Sequence, residues 1–146
     1  MKYVTLRQAL LLRKLGFKEP CMHSAYKFGN MEKWRIDNVG RYATANNKLY
    51  PCVIAIPTCD EAIDWIRRKY SIHIVNRIIP FVDPIKQGKV LHAYCVKKCN
   101  MRDGWNFRVM LGYKSSHDIY AAKRACITIA LKSIQKKAKI VKIRKK

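Results

Sequence analysis

The apolar residues of this chain fall into three stripes at helical spacing and a series of short alternating runs. Leu6, Ala9, Leu10 and Leu12 recur at helical intervals behind Thr5, and Gln8, three residues on, completes the pattern of a capping box. Arg13 and Lys14 fall in the last turn of this first helix, where cations complement the helix dipole. Gly16 supplies the left-handed stop, and Phe17 is placed to fold back on the last turn. A second stripe, Cys59, Ala62, Ile63, Ile66 and Tyr70, goes with Thr58 and Glu61, a second capping box, and predicts a helix from about Cys59 to Tyr70. Its acids, Asp60, Glu61 and Asp64, come first, and its bases, Arg67, Arg68 and Lys69, come last. The third stripe, Ile119, Ala122, Cys126, Ile127, Ala130 and Ile134, predicts a long helix from about Asp118 to Lys136, capped by Ser116 or Asp118.

Between these stripes the spacing changes to that of strands. Residues 21–28 and 33–38 flank Gly29-Asn30, a turn signal, and Val53–Ile56 forms another short run. Residues 38–48 are polar and irregular. Three longer runs lie between the last two helices: Ile72–Ile79, Val90–Lys98 and Trp105–Tyr113, the final pair joined by Asp103-Gly104. In the last run Trp105, Phe107, Val109, Leu111 and Tyr113 alternate onto one face. The expected class is α+β: a two-layer arrangement with an antiparallel three-stranded sheet flanked by two helices, in the order α-β-β-β-α. An N-terminal helix and short-strand extension (residues 1–57) precedes this core (residues 58–136), and a basic tail (residues 137–146) follows it.

Charge changes the picture more than any motif. The 146 residues carry 31 Lys and Arg against 9 Asp and Glu, a formal net charge of +22. Residues 119–146 hold ten of the basic residues and no acid, and the remainder of the chain is still basic. Such a body repels itself and is expected to work beside a polyanion, with nucleic acid first, acidic protein surfaces and anionic lipid behind it. With 49% hydrophobic residues the chain is able to bury a core, which argues against global disorder. No apolar run approaches the roughly 20 residues of a membrane span, and the start of the chain, with Leu interleaved with Arg and Gln, does not read as a signal peptide. Six cysteines are too sparse for a disulfide scaffold at this length and predict reduced thiols in an intracellular setting.

The residues expected to contact phosphate are Arg124, Lys132, Lys136 and Lys139 on the solvent side of the last helix, then Lys142, Arg144, Lys145 and Lys146 in a flexible arm. Arg67 and Arg68 form a second patch. His73, Arg77 and Arg108 beside Tyr94 would suit base stacking on an open sheet face, although a covered face would make them ordinary edge residues. His92, Cys95 and Cys99 lack the compact paired spacing of a structural zinc site, so no metal or other cofactor is expected. Asp60, Glu61 and Asp64 are explained by the first turns of a capped helix, and glycine-rich phosphate loops are absent. A non-enzymatic role is therefore expected.

The sequence carries two resemblances. Val4–Cys21, then Ile56-Pro57-Thr58, Asp60–Arg67 with its Ala62-Ile63-Asp64-Trp65 core, Tyr70–Ile74 and Ala125–Ile134 together resemble small proteins of tailed phages and prophages of gut Bacteroidetes, the crAss-like type. The resemblance covers about half of the chain. It implies a phage origin, action in the host cytoplasm during infection or in the virion, and no catalytic residue. Arg124, Lys132 and Lys136 depart from the group's acidic or neutral final helix, which implies a specialised partner. That partner is expected to be DNA or RNA; the alternative is a virion component docking on acidic capsid, portal or tail subunits or on packaged genome. The order helix, three strands, helix, with Gly112 and an Ala-rich last helix bearing Lys123, is also similar to double-stranded RNA-binding domains. Only Lys114 and Lys123 match that family's phosphate-binding lysines; Ser115, Ser116 and His117 replace the others.

Overall fold

Why the chain starts as it does is visible at Thr5. In the computed structural model, which describes residues 2–27, 34–38, 52–78, 92–99, 107–116 and 118–143, Thr5 Oγ1 accepts from the Gln8 N–H at 3.3 Å. Gln8 Oε1 accepts in return from the Thr5 N–H at 2.9 Å. This reciprocal cap opens α1 (Leu6–Lys14). Gly16, at φ 90°, closes it: the Gly16 N–H reaches the Arg13 carbonyl, and the Phe17 N–H reaches that of Leu12. Phe17 is thereby folded under the helix, where it is 1% exposed.

The strands β1 (His23–Tyr26), β2 (Arg35–Asn38) and β3 (Val53–Ile56) form an antiparallel sheet with β1 in the centre. Ala25 sits opposite Ile36 on one side and Ile54 on the other. α1 packs on β3, and the Arg13 guanidinium donates to the Val53 carbonyl at 3.3 Å. Leu12, Phe17, Cys21, Ala25, Ile54 and Ile56 are buried in this part of the chain. The first residues then run beside the connection out of β3. The Val4 N–H donates to the Pro57 carbonyl at 3.1 Å, Tyr3 bridges Thr58, and the Cys59 N–H donates to the Lys2 carbonyl at 2.8 Å.

Helix α2 (Cys59–Tyr70) starts where its capping box predicts. The Thr58 N–H donates to Glu61 Oε2 at 2.7 Å, and the Glu61 N–H donates to Thr58 Oγ1 at 3.2 Å. Its buried residues are Cys59, Ala62, Trp65 and Ile66. The predicted stripe included Ile63 and Tyr70 and omitted Trp65; those two are only half-buried, and Trp65 packs edge-on against Tyr70 at 5.5 Å between ring centroids. Ser71 ends the helix at φ 52°, the left-handed conformation that glycine more often supplies, and its N–H bonds the Arg67 carbonyl.

After α2 come β4 (Ile72–Ile78), β5 (His92–Cys99), β6 (Phe107–Ser116) and α3 (Ile119–Ile143), the predicted order. The sheet is antiparallel with β5 in the centre, and α3 packs across all three strands. The class is therefore α+β, with three helices and two three-stranded antiparallel sheets among the described residues. The chain divides into two compact units, Met1–Ala62 and Ile63–Lys146. The turn signals Gly29-Asn30 and Asp103-Gly104, and Trp105, lie outside the described residues.

Two features of the second unit differ from the expectation. The β5–β6 ladder shifts register between Val96 and Lys97 and again between Lys98 and Cys99, so unbroken alternation along β6 does not hold. α3 does not stop at Lys136 but continues to Ile143, so residues 137–143 belong to a helix and not to a flexible arm. No Gly or Pro follows Asp118, so nothing in the local sequence terminates the helix there.

Helix and sheet approach closely at Gly112. A Cβ added there would lie 3.0 Å from Ile129 Cδ1 and 3.1 Å from its Cγ2. Gly112→Ala is expected to cost about 1 kcal/mol, and Gly112→Val about 2–3 kcal/mol, as α3 is pushed off the sheet. Urea unfolding of the two variants checks the order; equal stability of all three proteins would show that Ile129 yields freely.

Candidate nucleic-acid interface

The inner side of α3 buries Ala122, Cys126, Ile127, Ala130, Leu131 and Ile134. Lys132 and Lys136, one turn apart, are exposed on the far side, as an amphipathic helix requires. Arg124 is less open: its side chain is 22% exposed, and Nη2 lies 3.7 Å from Asp118 Oδ2. Asp118 is the helix cap, with Oδ1 accepting from the Tyr120 N–H at 2.8 Å, and its own N–H donates to Ser116 Oγ. That backbone bond from Tyr120 is the main reason the Asp118 carboxyl titrates below its ordinary range. Lys139 and Lys142 lie on α3, but their side chains are outside the described set. Arg144, Lys145 and Lys146 lie outside the described residues altogether.

Arg67 and Arg68 are exposed at the end of α2, yet both turn back on Asp64; Arg68 Nε is 2.8 Å from Oδ2. The hydrogen bond from Arg67 is the main influence holding the Asp64 carboxyl below its ordinary range. This patch therefore carries one net positive charge from the three side chains and not two. Lys69, the next cation, lies 4.9 Å from the centre of the Trp65 ring.

The stacking surface considered on the sheet is not assembled. Tyr94 is 4% exposed and stands opposite Asn76, one position out of phase with His73, which pairs with Lys97. Adjacent positions on a strand take opposite faces, so Tyr94 and His73 do not share one. Burial, with Arg67 adding to it, holds the His73 imidazole below its ordinary titration range. The side chains of Arg77 and Arg108 are outside the described set.

Cysteine chemistry is equally local. Cys95 Sγ donates to the Val75 carbonyl at 3.7 Å and Cys126 Sγ to the Tyr94 carbonyl at 3.5 Å. Burial pushes the Cys126 thiol up to about 11 and the Cys21 thiol up to about 12, so both are held as neutral thiols at neutral pH. Among the described residues, no group of three or more His, Cys, Asp and Glu is placed to hold a metal ion. The side chains of His92 and Cys99 are outside the described set. Of the three acids in α2, Glu61 closes the capping box and Asp64 holds the two arginines.

Sequence reasoning missed the lysines of β5 and their neighbour on α3. Lys97 and Lys98 are partly exposed near the end of β5, and Lys137 is exposed on α3 beside Lys98. Their juxtaposition depends on strand length and on the continuation of α3, neither of which a composition count reveals. Among the described residues, no helix is long and apolar enough to cross a membrane. The chain matches no family model, no curated protein and no solved structure.

Proposed function

We propose that this protein binds nucleic acid without catalysing a reaction, gripping the phosphate backbone and reading little or no sequence. The observation that carries the reading is the outer face of α3, where exposed Lys132 and Lys136 project from a helix with no acid after Asp118. A helix presenting exposed cations is suited to phosphates because each ammonium that neutralises a phosphate releases a counterion condensed there, and the helix backbone has no further freedom to lose on binding. Arg124 acts as a reserve cation at the other end of the helix, and Arg67 and Arg68 exchange Asp64 for phosphate. The phage resemblance supplies a setting, the infected host cytoplasm or the packaged genome.

The test is Lys132→Gln with Lys136→Gln, titrated against two unrelated duplexes and one single strand. The expected outcome is a loss of about two units of salt slope and a similar weakening on every sequence. Unchanged affinity on all three nucleic acids would remove the α3 face from the interface. Weakening confined to one sequence would replace backbone binding with base readout.

A further inference from the structure

The sheet-facing side of α3 does not end with its apolar residues. Lys137 follows Ile134 by three positions and Ala130 by seven, so it continues the same stripe beyond the buried core. The strand beneath it ends in the same way. Val96 stands opposite Gly112, the residue that touches Ile129 of α3, so Val96 faces the helix. Lys98, two residues on, takes the same face and stands opposite Ile72 of β4. Helix and strand thus each place a lysine just past the last described buried residue of that face, Ile134 and Val96, and Lys98 is close enough to Lys137 to hold its titration down.

An ammonium group has three donors and no acceptor, so two charged lysines cannot satisfy each other. The influences acting on Lys137 are the neighbouring Lys98 and partial burial, and both push its titration below the ordinary lysine range. The exposed Lys136 stands next to Lys137 on the helix. An anion with several acceptor oxygens, set between the two ammonium groups, resolves the repulsion and satisfies both sets of donors.

We propose that Lys98 and Lys137 form a two-lysine seat for a single phosphate group of the bound nucleic-acid backbone, at the end of the sheet beneath α3. The seat rests on the nucleic-acid reading for its ligand but on the convergence of β5 and α3 for its geometry. It fixes the path of the strand across the protein, whereas Lys132 and Lys136 on the outer face supply attraction.

The experiment compares Lys98→Gln/Lys137→Gln with Lys14→Gln/Lys18→Gln, which removes the same charge from two exposed lysines of the first unit. Each protein is titrated with a duplex oligonucleotide over a range of salt, and its melting is followed with and without tripolyphosphate. The seat predicts that the first variant loses about two units of salt slope and about tenfold or more in affinity at 100 mM salt, against threefold or less for the control. It also predicts that each single substitution costs nearly as much as the pair, because one lysine alone does not hold the phosphate. Tripolyphosphate should raise the melting temperature of the wild type and leave that of the Lys98/Lys137 variant unmoved. Circular dichroism of the free variants verifies that both remain folded. If both double variants lose equally, the seat is wrong even though the protein binds nucleic acid. If the wild type ignores duplex but tripolyphosphate stabilises it through these lysines, the seat stands and the nucleic-acid reading falls. If it responds to neither ligand, both fall.

Discussion

Affinity for duplex will fall about 1000-fold or more between 50 and 200 mM salt, if six or more phosphates are neutralised. The expectation follows from a net charge of +22 in a chain that shows no recognised base-reading motif. Each lysine or arginine that displaces a counterion adds about 0.9 to the slope of log affinity against log salt, so six contacts over a fourfold change give about that factor. Electrostatic attraction of this kind also raises the association rate, so salt is expected to slow binding as well as weaken it. Fluorescence anisotropy at four or five salt concentrations measures the slope directly. A slope shallower than about two would leave too few ion exchanges for backbone neutralisation to be the mechanism.

The largest expected effect on stability is that of Leu131→Ala. Leu131 is 0% exposed on α3, flanked by Ala130 and, one turn later, Ile134. Removing three buried carbons loses their transfer free energy and leaves a cavity that a helix held across three strands closes only in part. The expected cost is about 2–5 kcal/mol, a large share of the roughly 5–15 kcal/mol of a typical domain. Lys132→Gln, the next residue, is exposed and is expected to change stability by less than about 0.5 kcal/mol. Urea unfolding of the two variants side by side separates packing from charge. Equal midpoints would mean that α3 is not held by its buried stripe.

The helices were the most legible elements because their ends are written in side chains. Thr58 and Glu61 set the start of α2 to the residue, and Gly16 with Phe17 set the end of α1. The end of α3 carries no such mark: Ile140, Val141 and Ile143 among lysines suit a strand, an arm or a helix equally well, and only continuation of the existing helix decides. Trp65 was missed because an amphipathic stripe drawn from aliphatic residues passes it by. For the interface, the exposure of Lys132 and Lys136 followed from helical periodicity alone. The engagement of Arg124 with Asp118, and of Arg67 and Arg68 with Asp64, did not, since ion pairs within a helix lower the usable charge without changing the count. The Lys98–Lys137 meeting joins residues far apart in sequence, and only the register of β5 against β6 and the length of α3 create it.

The seam between residues 2–4 and 57–59 has a temporal side. Residues 2–4 meet hydrogen-bonding partners that lie more than fifty positions further along the chain and so are synthesised after them. Until Val53–Ile56 emerges, α1 lacks the strand β3 on which it packs, and until Pro57 and Cys59 follow, residues 2–4 have no ladder to join. Loop closure grows slowly in cost with length, so the delay is tolerable, but it places the chain's start among the late steps of assembly. During synthesis residues 2–18, with Lys2, Arg7, Arg13, Lys14 and Lys18, are thus a nascent cationic stretch that waits for residues 53–59.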